Sequence, residues 1–292
     1  MSSKSNPESS FAPFGALENP ITIGHALIGD GSLSLIAGPC AIESESLCMS
    51  VAESLVRICE ELGIFYIFKA SFDKANRTSL SSFRGNGLED GLATLQRIKN
   101  DFNIPVLTDV HETEHVPLVA SVVDVLQIPA FLCRQTDLLV ACGKYGNSVN
   151  IKKGQFLHAG DMKYAIEKVV DSGTKNVMSS ERGAMFGYRD LIVDMRNLVI
   201  MRNIGYPVVF DATHSVQQMG GAGGSSGGLT QFIPAQARAA VAVGVDALFV
   251  ETHPNPTEAL SDGSNMLPLA KMREFLQMTL AIHQTHQQEN LQ

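Results

Sequence analysis

Several features that mark other classes of protein are missing from this sequence. Its five cysteines include no CxxC pair and are too sparse for a disulfide scaffold, a pattern typical of a reducing compartment. No uninterrupted apolar stretch approaches the roughly 18 residues of a membrane-spanning helix, and residues 1–14 lack the apolar core of a signal peptide. We therefore expect a cytoplasmic protein, not in a membrane, with a disordered N-terminal tail over residues 1–14.

Basic residues are also in the minority. Lys and Arg number 22 against 30 Asp and Glu, which gives a net charge of −8. A net acidic chain binds polyanions poorly, so we expect no nucleic-acid partner. Any basic residues that matter for function should be concentrated in a pocket.

What the sequence does contain is eight short apolar, β-rich runs, with stretches of helical spacing between most of them. This alternation is typical of an α/β protein with a parallel (β/α)8 TIM barrel, whose active site forms at the carboxyl ends of the strands. The chain of 292 residues suits one such barrel, which takes about 250. Each run is followed by residues able to do chemistry: Cys40, Lys69, Asp109, Gln127, Lys152, Arg182, Asp211 with His214, and Glu251. The sequence therefore predicts an enzyme.

We predict one catalytic barrel domain over residues 15–286 and a polar C-terminal tail over 287–292. Two alternating runs around Gly29-Asp30-Gly31 predict an N-terminal β-hairpin. Its first arm, residues 21–28, should cap the bottom of the barrel, and its second arm should run into the first barrel strand. Helices are predicted near residues 45–62, 88–102, 113–121, 134–145, 160–172, 189–203, 230–243 and 268–286.

Cationic residues are concentrated after three of the runs. They are Lys69, Lys74, Arg77, Lys152, Lys153 and Arg182. So many cations at one barrel mouth repel one another and lose hydration unless an anion binds there. Arg77 is followed by Thr78 and Ser79, which sets a planar fork beside two hydroxyls. The pattern predicts a site for phosphate or a phosphorylated carboxylate; ordinary surface Lys and Arg are the alternative.

A second group of residues predicts a metal site. Cys40, His214, Glu251 and Asp262 follow strands one, seven and eight, which are neighbours in a closed barrel. A thiolate, an imidazole and two carboxylates suit Zn²⁺, Fe²⁺ or Mn²⁺. These residues alone leave another interpretation open, in which Cys40 is a small core residue and His214 a hydrogen-bonded loop residue.

Two glycine-rich segments are less informative. Residues 220–228 suit either a lid that closes over bound substrate or a flexible loop with no functional role. Residues 84–91 superficially match a dinucleotide fingerprint, but they follow a loop and their glycines are misspaced, so we reject NAD.

Together, the motifs resemble those of the 3-deoxy-D-manno-octulosonate 8-phosphate (KDO 8-phosphate) synthase family. The match extends from residue 35 to 269 and includes AGPCAIES, FKASFDKANRTS, TDVHE, QIPAFLCRQTDL, NIKKGQF, DATHSVQ and ETHPNPTEALSDG. The resemblance implies a transferase that condenses phosphoenolpyruvate with D-arabinose 5-phosphate and water and releases phosphate. Its product would supply lipopolysaccharide or another envelope sugar.

The resemblance also implies roles for individual residues. Phosphoenolpyruvate would be held by Lys69, Ser71, Lys74, Gln127, Lys152 and Arg182, and the aldose phosphate by Asn76, Arg77, Thr78 and Asp109. Thr78 replaces the Ser of many relatives and keeps the hydroxyl. Arg134 would reach a neighbouring subunit's sugar-phosphate site, which implies a homotetramer.

Cys40 follows the AGP segment and implies the metal-dependent branch of the family, where a divalent ion (Zn, Fe or Mn) is bound by Cys40, His214, Glu251 and Asp262. Lys152, His214 and Asp262 are the implied catalytic residues, and the group that activates the water stays open among Asp262, His214 and metal-bound water.

The sequence is also compatible with three other functions. A 3-deoxy-D-arabino-heptulosonate 7-phosphate synthase would use erythrose 4-phosphate, although such relatives tend to have KPRT where this chain has KANRTS. A Schiff-base aldolase would use Lys152 as its nucleophile. A non-catalytic barrel would bind a sugar phosphate only as a sensor.

Overall fold

A computed structural model describes residues 16–17, 20–77, 79–185, 190–218 and 227–289. The predicted tail over residues 1–14, the candidate ligand Thr78 and most of the predicted lid over residues 220–228 lie outside the described residues.

Eight parallel strands of the described chain close into the predicted TIM barrel. The last strand, Ala247–His253, pairs in register with the first, Ser34–Gly38, with Ala247 opposite Ser34 and Glu251 opposite Gly38. The last strand also pairs with the seventh, Val208–Asp211. Every strand residue is buried, because side chains on one face fill the barrel and those on the other meet the helices. The strands are β1 (Ser34–Gly38), β2 (Tyr66–Lys69), β3 (Val106–Asp109), β4 (Val125–Ile128), β5 (Ser148–Lys152), β6 (Val177–Glu181), β7 (Val208–Asp211) and β8 (Ala247–His253).

The principal helices of the described chain follow these strands. They are α1 (Glu45–Leu62), α2 (Leu88–Phe102), α3 (Val116–Ala120), α4 (Thr136–Tyr145), α5 (Met162–Ser172), α6 (Arg196–Arg202), α7 (Ile233–Val243) and α8 (Met272–Glu289). Ser44 caps α1 by accepting a hydrogen bond from the Leu47 amide at 3.2 Å, and Gly63 ends the helix in the left-handed conformation. None of the described helices combines the length and apolarity needed to cross a membrane.

One predicted helix begins later than expected. Helix α6 starts at Arg196 rather than near residue 189. The residues just before it, Leu191–Ile192, pair antiparallel with Ala184–Met185 in a small hairpin after β6. Pairing with a segment on the other side of the loop therefore overrides the local helical spacing.

The N-terminal hairpin caps the barrel as predicted, but the predicted turn is wrong. Its strands, Ile21–Ile23 and Ala26–Ile28, pair with Ile21 opposite Ile28, so the chain reverses at Gly24, where φ is +60°. Three isoleucines of the hairpin pack against the side chains that fill the barrel. The segment after Gly31 does not pair with the first arm, because it is taken up as β1 between two parallel neighbours.

A close backbone approach brings the AGPC segment into the barrel mouth. A Cβ atom on Gly38 would lie 2.0 Å from the carbonyl oxygen of Lys69, so only glycine fits at the end of β1. This contact between β1 and β2 leads the chain inward, and Cys40 is completely buried two residues later.

Candidate active site

A cavity of about 600 Å³ opens at the carboxyl ends of the barrel strands. The structure brings most of the predicted site residues to its wall: Lys69, Lys74, Asn76, Arg77, Asp109, Lys152, Arg182, His214, Glu251 and Asp262. Cys40, Ser71 and Gln127 are fully buried next to this wall. Arg134 is exposed and does not line the cavity, so its predicted role depends on a second subunit.

Two lysines, one at the end of β2 and one five residues later, meet a carboxylate from β8. The Nζ atom of Lys69 lies 2.7 Å from Glu251 Oε1 and donates a hydrogen bond of 2.9 Å to the carbonyl of Cys40. Lys74 Nζ lies 3.8 Å from the same Glu251 oxygen. Burial alone would raise the pKa of Glu251, but Lys69, His214 and Lys74 hold it well below its usual value. Glu251 is therefore a buried carboxylate.

Lys152 is held between a carboxylate and an aromatic ring. Its Nζ atom lies 2.6 Å from Asp211 Oδ2 and 3.7 Å from the centroid of the Phe249 ring. Burial lowers the pKa of Lys152, while Asp211 and Asp109 oppose that shift. The lysine thus projects from the end of β5 into the cavity in one fixed direction.

Arg182 is positioned by Gln217, a residue for which no role was predicted. Its Nη2 atom donates to Gln217 Oε1 at 2.7 Å and to the carbonyl of His214 at 3.3 Å. Its buried Nε has no hydrogen-bond partner among the described residues. Burial lowers the pKa of Arg182, with partial compensation from Asp211 and Asp262. Gln217 lies in a two-residue strand that pairs antiparallel with Gly227–Gly228. It ends the DATHSVQ motif, but no role was predicted for it.

Asp211 fixes the proton of His214. The Nδ1 atom of His214 lies 3.0 Å from Asp211 Oδ1 and 2.8 Å from Oδ2. A carboxylate accepts hydrogen bonds, so Nδ1 carries a proton, and a metal ion would bind through Nε2. That Nε2 atom lies 3.6 Å from Glu251 Oε2. The sequence singled out Asp211 as a strand-end residue, but assigned it no role.

Three of the four predicted metal ligands form a donor cluster that is compatible with a divalent ion. Candidate donor atoms of Cys40, Glu251 and Asp262 lie within 4.8 Å of one another, and the Nε2 atom of His214 lies 3.6 Å from Glu251 Oε2. Glu251 Oε2 is buried without a hydrogen-bond partner among the described residues. Burial raises the pKa of the Cys40 thiol, and Asp262 and Glu251 raise it further, so a thiolate here requires a cation.

The loop after β8 presents Asp262 in an uncommon backbone conformation. Asp262 has φ +49° and ψ +22°, the left-handed region that few residues other than glycine adopt. Two contacts hold Leu260, two residues earlier: its amide donates to Glu43 Oε1 at 3.0 Å, and Arg77 Nη2 donates to its carbonyl at 3.1 Å. Ser261 lies between Leu260 and Asp262, with its Oγ 2.9 Å from Cys40 Sγ.

His111 also lines the cavity, two residues after β3. Its ring meets Phe72 edge-on with centroids 6.3 Å apart, and burial lowers its pKa. A neutral imidazole therefore adds to the wall beside Asp109.

The profile of the DAHP synthetase I family matches residues 16–288. The chain belongs to this family. Similar relatives share one name, 2-dehydro-3-deoxyphosphooctonate aldolase, which is another name for KDO 8-phosphate synthase. The relative from Cyanothece sp. is 59% identical over 256 residues, which is 87% of this chain and 94% of the relative.

Two further relatives with that name come from Synechococcus sp. and Desulfotalea psychrophila. They are 55% and 56% identical over 258 and 251 residues, covering 88% and 86% of this chain and 91% and 90% of their own lengths. The resemblance expected from the motifs is therefore confirmed.

Proposed function

We propose that this chain condenses phosphoenolpyruvate with D-arabinose 5-phosphate and water to give 3-deoxy-D-manno-octulosonate 8-phosphate and phosphate. The observation that carries this proposal is one cavity that combines Lys69, Lys74, Lys152 and Arg182 with the Cys40, Glu251 and Asp262 donor cluster. The cations suit a phosphorylated carboxylate, and the relatives carry the name of an enzyme acting on phosphooctonate.

In the proposed reaction, the methylene carbon of phosphoenolpyruvate forms a bond to the aldehyde carbon of the sugar. Positive charge develops at the enol carbon that bears the phosphate, water adds there, and phosphate leaves. Lys152 and Arg182 neutralise the anionic groups of phosphoenolpyruvate and hold it in the geometry for attack. Their contacts with Asp211 and Gln217 keep both cations in place before the substrate binds.

Arg77, Asn76 and Asp109 hold the aldose phosphate in this proposal. The Arg77 Nε and Nη2 atoms donate to the carbonyls of Phe83 and Leu260, which places the guanidinium at the cavity rim. A phosphate at the rim would direct the aldehyde end of the sugar inward, toward Lys69 and Glu251. Thr78, the remaining predicted contact, lies outside the described residues.

When bound, a Zn²⁺, Fe²⁺ or Mn²⁺ ion held by Cys40, His214, Glu251 and Asp262 would act as a Lewis acid toward the aldehyde or its neighbouring hydroxyl. Asp262 and His214 are the cavity residues proposed to accept the proton of the attacking water.

We further propose a cytoplasmic homotetramer in which Arg134 reaches a neighbouring sugar-phosphate site. The exposed position of Arg134 outside the cavity supports this role. In this proposal, residues 15–286 form the single catalytic domain, and its product is used to make lipopolysaccharide or another envelope sugar.

A phosphate-release assay tests this function directly. The purified chain is incubated with phosphoenolpyruvate and arabinose 5-phosphate, with erythrose 4-phosphate, or without sugar, each with and without a chelator. We expect phosphate release with the five-carbon sugar, none without sugar, and loss of activity on chelation that divalent ions reverse. Faster turnover of erythrose 4-phosphate would instead identify a heptulosonate 7-phosphate synthase.

The same preparation distinguishes the remaining alternatives. Borohydride trapping of a substrate on Lys152 would indicate a Schiff-base aldolase. Sugar-phosphate binding without phosphate release under any of these conditions would indicate a sensor.

A further inference from the structure

A row of hydrogen-bonded side chains lies buried among five consecutive strand ends. Ser180 Oγ donates to Asn150 Oδ1 at 2.8 Å, and Asn150 Nδ2 donates to Gln127 Oε1 at 2.8 Å. Gln127 Nε2 then donates to Asp109 Oδ1 at 2.6 Å. Ser71 donates to the other oxygen of Asp109. All five side chains are buried, and only Asp109 lines the cavity.

The barrel register places these groups side by side. Gln127 pairs with Asp109 on one side and with Asn150 on the other. Asn150 lies two residues before Lys152 on β5, so the two side chains point to the same face of the strand. The row therefore runs directly beneath the cationic part of the cavity.

The hydrogen bonds in this row have a single direction. Asp109 lies 4.0 Å from the Lys69 ammonium, and its carboxylate oxygens can only accept. Gln127 must therefore turn its NH2 toward Asp109 and its carbonyl toward Asn150. Asn150 must in turn present its NH2 to Gln127 and its carbonyl to the Ser180 hydroxyl. Reversing one amide would bring two acceptors, or two donors, face to face.

We propose that Asn150, supported by Ser180, is a positioning residue that fixes the amide orientation of Gln127 and, through it, the carboxylate of Asp109. This inference rests on the proposed function, in which Gln127 contacts phosphoenolpyruvate and Asp109 contacts the sugar. Asn150 and Ser180 touch neither substrate; they act by limiting Gln127 to one amide orientation.

A double-mutant cycle between Asn150 and Gln127 tests this mechanism. We expect Asn150→Ala to lower kcat/KM roughly 10- to 100-fold, because misplacement of a substrate-holding group is costly. In a Gln127→Ala background, the same substitution should change kcat/KM by less than about twofold, since nothing remains for Asn150 to position. Equal losses in both backgrounds would show a general structural role and overturn the proposal.

An isosteric variant guards against a folding defect. Asn150→Leu is nearly isosteric but can neither donate to Gln127 nor accept from Ser180. We expect kcat/KM to fall as in Asn150→Ala, with the far-ultraviolet circular dichroism of the wild type. Wild-type kinetics for Asn150→Leu would contradict the proposal.

Two neighbouring serines give a matched control. Ser180→Ala removes the end of the row and should lower kcat/KM about fivefold, the value of one neutral hydrogen bond. The Ser179 hydroxyl is also buried but has no hydrogen-bond partner in the described part of the chain, so Ser179→Ala should leave kcat/KM unchanged. Equal effects of the two substitutions would overturn the proposal.

The wild-type assay separates this inference from the proposed function. If the wild type does not release phosphate with arabinose 5-phosphate, the proposed function fails. If it does, and the Asn150 variants keep its kinetics, only the positioning role fails.

Discussion

The Lys152 ammonium lies 2.6 Å from Asp211 Oδ2, and the same carboxylate contacts His214 Nδ1 at 2.8 Å. One aspartate at the end of β7 thus orients a cation proposed to hold substrate and an imidazole proposed to bind metal. Burial would raise the pKa of Asp211, but His214 and Lys152 hold it far below its usual value, so the group stays ionised.

Asp211→Asn should therefore impair two functions at once. The amide has no charge to pair with Lys152, and its NH2 can face His214 Nδ1 and favour the wrong tautomer. We expect a roughly 10- to 100-fold loss of kcat in phosphate release and a similar weakening of zinc binding measured with a competing chelator. Asp194→Asn, in an exposed pair with Arg196, is the control and should change neither quantity.

Cys40→Ala should remove the metal together with the activity. We expect a stoichiometric divalent ion (Zn, Fe or Mn) in the wild type and a large loss of it in the variant by elemental analysis, because the sulfur ligand is gone. Cys48→Ala alters a buried cysteine of α1 outside the site and should retain both metal and turnover. Full activity of Cys40→Ala after chelation would exclude the proposed metal site.

Ser261→Ala should weaken metal binding without abolishing it. The Cys40 thiol donates to Asp262 at 3.1 Å, so the Ser261 hydroxyl 2.9 Å away is the donor to the sulfur. Loss of this hydrogen bond should lower zinc affinity roughly tenfold in a chelator competition. Ser121→Ala, on the exposed end of α3, should leave the affinity unchanged; equal affinities of all three proteins would contradict the prediction.

The ion pair behind the cavity should contribute to stability rather than to binding. Lys153 Nζ lies 3.4 Å from Glu181 Oε1, and both side chains are fully buried at the ends of β5 and β6. Glu181→Ala leaves the buried Lys153 ammonium without its carboxylate partner. This should lower the free energy of unfolding by about 3–5 kcal/mol in urea titrations. The double variant Lys153→Met/Glu181→Leu should recover most of the lost free energy of unfolding, because no unpaired charge remains. If it recovers none, the unpaired Lys153 charge is not the cause of the destabilisation.

Asp109 should make the protein sensitive to acid. Burial would raise its pKa, but Lys69, Lys74 and Lys152 lower it far below the ordinary 3.8 of an unfolded aspartate. The resulting stability is fully present above that ordinary value and is lost as the pH falls toward the folded pKa. Urea titrations between about pH 6 and pH 3 should show a smaller decline for Asp109→Asn than for the wild type. Parallel declines would contradict this assignment.

Much of the architecture could be predicted from the sequence because local patterns carry it. The apolar runs became barrel strands, and α1 spans the predicted residues 45–62. The predictions failed where two local signals competed. Gly24 and Gly29-Asp30-Gly31 both suit a turn, and only the pairing of the first barrel strand decided between them.

Some residues of the candidate site could be predicted from the sequence, and others could not. Cys40, Lys152 and Glu251 could be identified because each ends or follows an apolar run. Gln217 and Ser261 lie within the matched motifs DATHSVQ and ETHPNPTEALSDG. Their roles could not be predicted, because they depend on contacts with Arg182 and Cys40, which are distant in the chain. The Ser261 loop, for example, is held by Glu43, which is more than two hundred residues away in the chain.

By itself, the sequence determined that the chain alternates strands and helices and that chemically active residues follow the strands. Parallel strands share one carboxyl end, so this order alone brings those residues to one rim. Only the tertiary structure decided which atoms meet there. Asp211 contacts both Lys152 and His214, and Asn150 donates to Gln127 rather than the reverse, because side-chain directions and hydrogen-bond partners are set by packing across strands.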